Sequence, residues 1–180
     1  IIAAEITRSG PLLERLSQNG AAVVVYGECA DGIQQRALPL ARRPRFRTDA
    51  AWQTYAARLD AFAEHVQQHY PLRLAFHPHA GTYIESQDDI DRLVALTDPD
   101  RVWLTFDTGH AYIGGATDPA ALLTRHLSRV AHLHCKDVRT AIAARAKNER
   151  WSFLQGVVNG VFAPPGGGDL NFAAVLAPLK

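Results

Sequence analysis

The chain has 180 residues, 47% of them hydrophobic and 21% charged, with a formal net charge of +1. That size and composition describe one globular domain with a sizeable core, and the near-zero charge removes the long-range attraction that nucleic acid or an anionic membrane surface would need. No apolar run nears the ~18 residues that span a bilayer, no stretch reads as a signal peptide, and the two cysteines, Cys29 and Cys135, make no disulfide framework, so a reducing cytoplasm is expected.

The chain opens inside an amphipathic pattern (Ile1, Ile2, Ile6) and contains no methionine, so it is expected to be a piece of a longer protein. Residues 11–18 read as a helix stopped by Asn19-Gly20. Ala21 to Tyr26 is a valine-rich apolar run of the kind a strand covered on both faces displays. A long loop, 27–47, follows. Apolar residues at 52, 55, 56, 59, 62, 63 and 66 then keep one helix face apolar over four turns, with Thr48 or Asp49 as cap. Leu72 to Phe76 is the second strand. Ser86-Gln87-Asp88-Asp89 resembles a capping box and opens a helix carrying Ile90, Leu93, Val94 and Leu96. Val102 to Phe106 is the third strand. Asp118-Pro119 places a cap before a proline at the first helical position, with Leu122, Leu123 and Leu127 along the apolar side. Val130 to His134 is the fourth strand, and a helix-like stretch from Phe172 to Leu179 ends the chain.

Four strand-then-helix units in a row predict an α/β fold with a parallel sheet and right-handed crossovers. An open doubly wound sheet and part of a (β/α)8 barrel both fit. No G-x-G-x-x-G or Walker loop follows any strand, and Gly166-Gly167-Gly168 comes after a proline pair instead, which weakens a nucleotide-binding reading.

Polar residues gather where the strands end. The first ends in Gly27-Glu28. The second ends in His77-Pro78-His79, with Glu85 a few residues on; the third in Asp107-Thr108-Gly109-His110; and the fourth in His132-Leu133-His134-Cys135-Lys136-Asp137. This edge is where parallel α/β sheets bind ligands. A buried carboxylate costs several kcal/mol unless it is paired or metal-bound. Mixed Glu, Asp and His donors suit a hard or borderline divalent ion such as Mn²⁺, Co²⁺, Mg²⁺ or Zn²⁺. Alternation puts His132 and His134 on one face with Lys136 following, and a lysine beside a metal suits proton transfer or stabilising an enolate oxygen. Each residue also has a plainer role. His77 or His79 can bond loop backbone, His132 can be a core polar group, Glu28 a loop charge, Glu85 a helix-entry residue and Asp107 a helix cap. Cys29 and Cys135 read as small fillers.

The ordered set "VYGE", "FHPHAGTYIE", "FDTGH", "HLHCKDVR" and "GVFAPPGGGDLNF", from about Ala21 to Phe172, resembles the inosose dehydratase family within the xylose-isomerase-like superfamily of (β/α)8 barrels. The resemblance implies that residues 1–180 form a single domain, a partial TIM barrel covering about strands four to seven without the first three strands and the last. It implies a divalent metal, Mn²⁺ or Co²⁺ ahead of Mg²⁺ or Zn²⁺, held by Glu85, Asp107 and His134, with a fourth ligand beyond Lys180. The strand-five glutamate of isomerase relatives falls at Ala75, so Glu85 stands in for it. The implied activity is a lyase dehydrating a keto-inositol such as scyllo-inosose through an enediolate, in inositol catabolism. A ketose isomerase or epimerase is the alternative, and an apurinic-endonuclease-type phosphodiesterase or a non-catalytic sugar-binding protein are further ones. His110, Lys136, His77 and His79 are the candidate acid–base groups, Glu28, His132 and Asp137 the candidate substrate contacts, and Ser152 to Phe172 a candidate glycine-rich lid. The implied partner is a small polyol or sugar, with no nucleic acid and no membrane, and a homo-oligomer is one way to cover open sheet edges.

Overall fold

In the computed structural model, which describes residues 2–179, four short strands pair in sequence order and in parallel: β1 (Val23–Tyr26), β2 (Arg73–Phe76), β3 (Val102–Asp107) and β4 (Val130–His134). Ile1, counted in the opening amphipathic pattern, lies outside the described residues. Helices α1 (Ile2–Gln18), α2 (Asp49–His69), α3 (Gln87–Leu96), α4 (Thr108–Ile113) and α5 (Pro119–Arg125) precede and link the strands. β1 and β4 each pair on one side only, yet approach within 8 Å of each other, so the sheet curls into half a barrel.

Local signals explain most element starts. Thr48 accepts the Ala51 N–H to open α2, Ser86 and Asp89 form a complete capping box on α3, and Asp118 accepts the Ala121 N–H ahead of Pro119 in α5. Helix α1 begins earlier than the expected 11–18 and runs through Pro11. An interior proline costs about 3 kcal/mol, but Leu13 is buried and Ile6 and Leu16 pack partly buried against the core on either side of it, and that burial offsets the lost hydrogen bond.

Alternation sends Val24, Leu74, Phe76, Leu104 and Phe106 to the convex face, where they are buried with Trp52, Phe62, Val66 and Leu93 of α2 and α3. The concave face carries Val25, 41% exposed, and the exposed His132. The apolar run of β1 is therefore covered on one face rather than two, because its other side faces the open hollow of the half barrel.

Beyond β4 the chain makes a compact excursion. β5 (Asp137–Val138) pairs antiparallel with β6 (Phe162–Ala163), and α6 (Thr140–Asn148) and α7 (Phe153–Val158) lie between them; α8 (Phe172–Leu176) follows. The stretch expected as a loose lid is thus folded down. Ser152 caps α7 and bridges to Pro39 of the long loop, and the glycine run is tied to Asp137. No helix of the described residues is long and apolar enough to cross a membrane.

Candidate functional site

Asp107 ends β3 and caps α4 at once. Its Oδ1 accepts the His110 N–H at 3.0 Å, so the plain reading of this residue as a cap holds. Its Oδ2 does something else. The His134 Nδ1 lies 3.3 Å from it, the His77 Nε2 3.5 Å, and the Lys136 ammonium is in direct contact. The side chain is fully buried. Burial pushes the carboxyl up, but hydrogen bonds from His77 and Lys136 and the nearby His110 ring reverse this and hold it well below the usual carboxylate range. Register makes the meeting possible: a shift in β3–β4 pairing between Leu104 and Thr105 sets His132 opposite Thr105 and His134 opposite Asp107.

Two residues that the sequence reading passed over fix Lys136. The buried Thr108 hydroxyl donates to the Lys136 carbonyl at 2.6 Å and accepts the Lys136 N–H at 3.0 Å, tying the ends of β3 and β4 together. A Cβ at Gly109 would sit 2.8 Å from both the Lys136 Cβ and a Phe162 ring carbon, so only glycine admits this approach. The signal was present in "FDTGH": a small residue pair directly after a strand-end carboxylate.

His110 comes back over the cluster after one turn of α4. It is 3% exposed, its ring lies 3.8 Å from that of His79, and Phe153 and Phe162 cover it at 5.6 Å each. Burial first, and His79 next, push its imidazole far below the usual histidine value. Its Nδ1 accepts the Ala80 N–H at 3.3 Å, which leaves the proton of the neutral ring on Nε2. His79 Nδ1 in turn lies 2.8 Å from the Ala80 carbonyl, and burial lowers its pKa as well.

The donor set fits a divalent ion. His77, Asp107 and His110 offer two nitrogens and one oxygen within 4.8 Å of one another. His134 adds a buried Nδ1 with no hydrogen-bond partner, beside the same carboxylate.

Two expectations need correction. Glu85 does not join Asp107 and His134. Gly81, at φ 85°, folds the loop back so that the Gly81 N–H bonds the Glu85 carboxylate at 2.6 Å, and the Arg43 Nε lies 3.4 Å from its other oxygen. Arg43 is buried and also bonds the Thr82 and Tyr83 carbonyls and Asp89, so Glu85 is a braced loop residue. Asp137 is not free to touch substrate: its carboxylate accepts the N–H groups of Val138, Gly166, Gly168 and Leu170 at 2.8–2.9 Å. The run Gly166–Gly168 was the sequence's sign of such an amide-rich turn. His132 reaches only the neighbouring His134, with rings 5.1 Å apart, and stands exposed on the concave face. Glu28 bonds the Ala30 N–H at 2.8 Å at the end of β1. Both cysteines are free and exposed.

A family model described as xylose isomerase-like TIM barrel matches residues 10–180. The rhizopine catabolism protein MocC of Rhizobium meliloti is 39% identical over 173 residues, covering 94% of this chain and 51% of that protein. An inosose dehydratase of Halalkalibacterium halodurans is 40% identical over 161 residues, covering 89% of this chain and 52% of its own. Among solved structures, an IOLI protein with a bound zinc atom superposes with a TM-score of 0.67 at 15% identity, covering 97% of this chain and 55% of that one, a likeness of fold. The chain spans about half the length of the curated relatives it matches.

Proposed function

Because the chain belongs to the xylose isomerase-like TIM barrel family, we propose that it carries the metal-binding and proton-transfer part of a lyase that dehydrates a keto-inositol. The observation that carries this reading is Asp107 Oδ2, the meeting point of His77, His134 and Lys136 from the ends of three adjacent strands. The inosose dehydratases among the relatives supply the reaction class. Residues 1–180 are read as one domain, part of a (β/α)8 barrel.

Asp107 and His77, two of the three donors grouped within 4.8 Å, would hold a divalent ion, with His134 as a further donor beside the same carboxylate. Of these, Asp107 brings the charge and His134 the otherwise unpartnered nitrogen. When bound, such an ion acidifies the carbon next to the substrate ketone and steadies the developing oxyanion. His79, whose Nδ1 faces the Ala80 carbonyl so that Nε2 of the neutral ring is free, removes that proton. Lys136, an ammonium held over the site by Thr108, gives its proton to the departing hydroxyl, which leaves as water, while His110 keeps its Nε2–H to donate to a substrate oxygen. Proton exchange between the two groups through solvent restores the starting state. Phe153 and Phe162 keep water off His110. A ketose epimerase begins with the same proton removal but needs a second carboxylate base. Ala75, two residues before His77 and so on the same strand face, offers none.

The test is an assay of scyllo-inosose with the protein before and after chelation. An absorbing diketone product that vanishes with the metal supports the proposal. Solvent deuterium entering a ketose without loss of water would replace it with the epimerase reading.

A further inference from the structure

Behind the histidine cluster lies a second cavity of about 540 Å³, inside the usual range for small-molecule sites. Tyr112 and Ile113 of α4, Trp151 and Val161 line it with apolar surface. Phe153 and Phe162 form the partition, facing this cavity on one side and the rings of His79 and His110 on the other.

Its charge is one-sided. Arg45, Lys147 and Arg150 line it, and none of them enters an ion pair among the described residues. The one acidic lining residue, Glu85, is already engaged by Arg43 and the Gly81 amide. Arg150 has φ 57°, the only non-glycine positive φ among the described residues. That conformation ends α6: the Arg150 N–H bonds the Lys147 carbonyl and the Trp151 N–H the Ala146 carbonyl, a helix-closing turn that fixes Arg150 at the cavity wall.

We propose that this cavity binds a small anion: a carboxylate or phosphate monoester carried on an apolar, ring-sized body. The aromatic and aliphatic walls take the body, and the three unpaired cations take the charge. The site is separate from the dehydratase reading. A keto-inositol is neutral and hydroxylated on every side, so it matches neither apolar walls nor unpaired cations. An occupant would rest on the same two phenyl rings that cover His110.

Benzoate and phenyl phosphate serve as probes, with benzyl alcohol as the neutral control. Binding is read by calorimetry and by the Trp151 indole N–H resonance, assigned with Trp151→Phe. At least one anion is expected to bind about tenfold or more tighter than the alcohol, a free-energy difference of about 1.4 kcal/mol, and to move the Trp151 signal. The tighter of the two probes identifies the anion class. Arg150→Gly removes the cation at a position whose backbone glycine accepts without strain, and Lys147→Gln removes a second charge. Both should weaken the anions severalfold and leave benzyl alcohol unchanged. Equal binding of all three probes, a Trp151 signal that stays still, or anion affinity untouched by both substitutions would each overturn the proposal. Inactivity toward scyllo-inosose would sink the dehydratase reading and leave this one standing.

Discussion

One carboxylate with two occupied oxygens links the structure of this chain to its chemistry. Asp107→Asn keeps an oxygen for the α4 cap, since asparagine caps as well as aspartate, but removes the charge that gathers His77, His134 and Lys136. Under the proposed function, the variant is expected to fold, to bind no divalent ion by mass spectrometry, and to lose about 10–100-fold or more in dehydration rate. Metal content equal to the parent would reject Asp107 as a ligand. Asp137 makes the contrasting case, because its carboxylate is structural. Replacing it with alanine strands buried amides and should cost about 3 kcal/mol. Burial alone would raise its pKa, but the four N–H bonds win and lower it. A lowered folded pKa means a stabilising contribution that is complete above the ordinary value of 3.8 and lost as pH falls through the folded value. The melting temperatures of parent and Asp137→Ala should therefore differ most above about pH 4 and converge in stronger acid. From sequence, Asp107 was legible because an apolar strand ran straight into it. The fates of Glu85 and Asp137 were not, because each depends on a distant partner: Arg43 for the first and the amides of residues 166–170 for the second.

Elements with a local start signal were legible in the sequence, and elements created by packing were not. Thr48, the Ser86–Asp89 box and Asp118-Pro119 each announced a helix. The six-residue α4 and the two-residue strands β5 and β6 are too short for periodicity to register, and Gly10-Pro11 concealed the first half of α1. The glycines test how these elements meet. A Cβ on Gly114, at the end of α4, would lie 2.2 Å from the Glu85 carbonyl, a backbone atom that cannot step aside. Gly114→Ala should cost about 1–3 kcal/mol or more by chemical denaturation, as overpacking does. Gly10 sits within α1 with nothing within 4 Å of its would-be Cβ, and its φ is not positive. Gly10→Ala should therefore stabilise the protein by about 0.5–1 kcal/mol, the helix preference for alanine. Opposite signs at two helical glycines would establish that the α4–Glu85 contact is close-packed; two stabilising alanines would show that it is loose.

At the scale of the molecule, the alternation of strands and helices predicted the parallel sheet and the edge at which His77, His134 and Lys136 meet Asp107. The closure of that sheet into a barrel came from family resemblance, because curvature leaves no mark on a single strand's pattern. Parallel sheets are ordinarily covered on both faces. Here helices cover the convex face, while the concave face holds Val25 at 41% exposure and Arg73 stacked 4.6 Å from the Trp103 ring. If that hollow is a barrel interior, as the half-length match to the relatives suggests, then Val25 meets facing side chains in a longer protein and solvent or a second copy in residues 1–180 alone. Val25→Lys separates the two settings. In the 180-residue chain it should leave the melting temperature nearly unchanged and reduce self-association measured by sedimentation, because a charge on an open apolar face opposes pairing. In a protein with further chain on both sides it should destabilise by about 3 kcal/mol or more, because the ammonium would be buried without a partner. A lysine tolerated equally in both settings would mean that the concave face is a true outer surface, and the barrel reading of the hollow would fail.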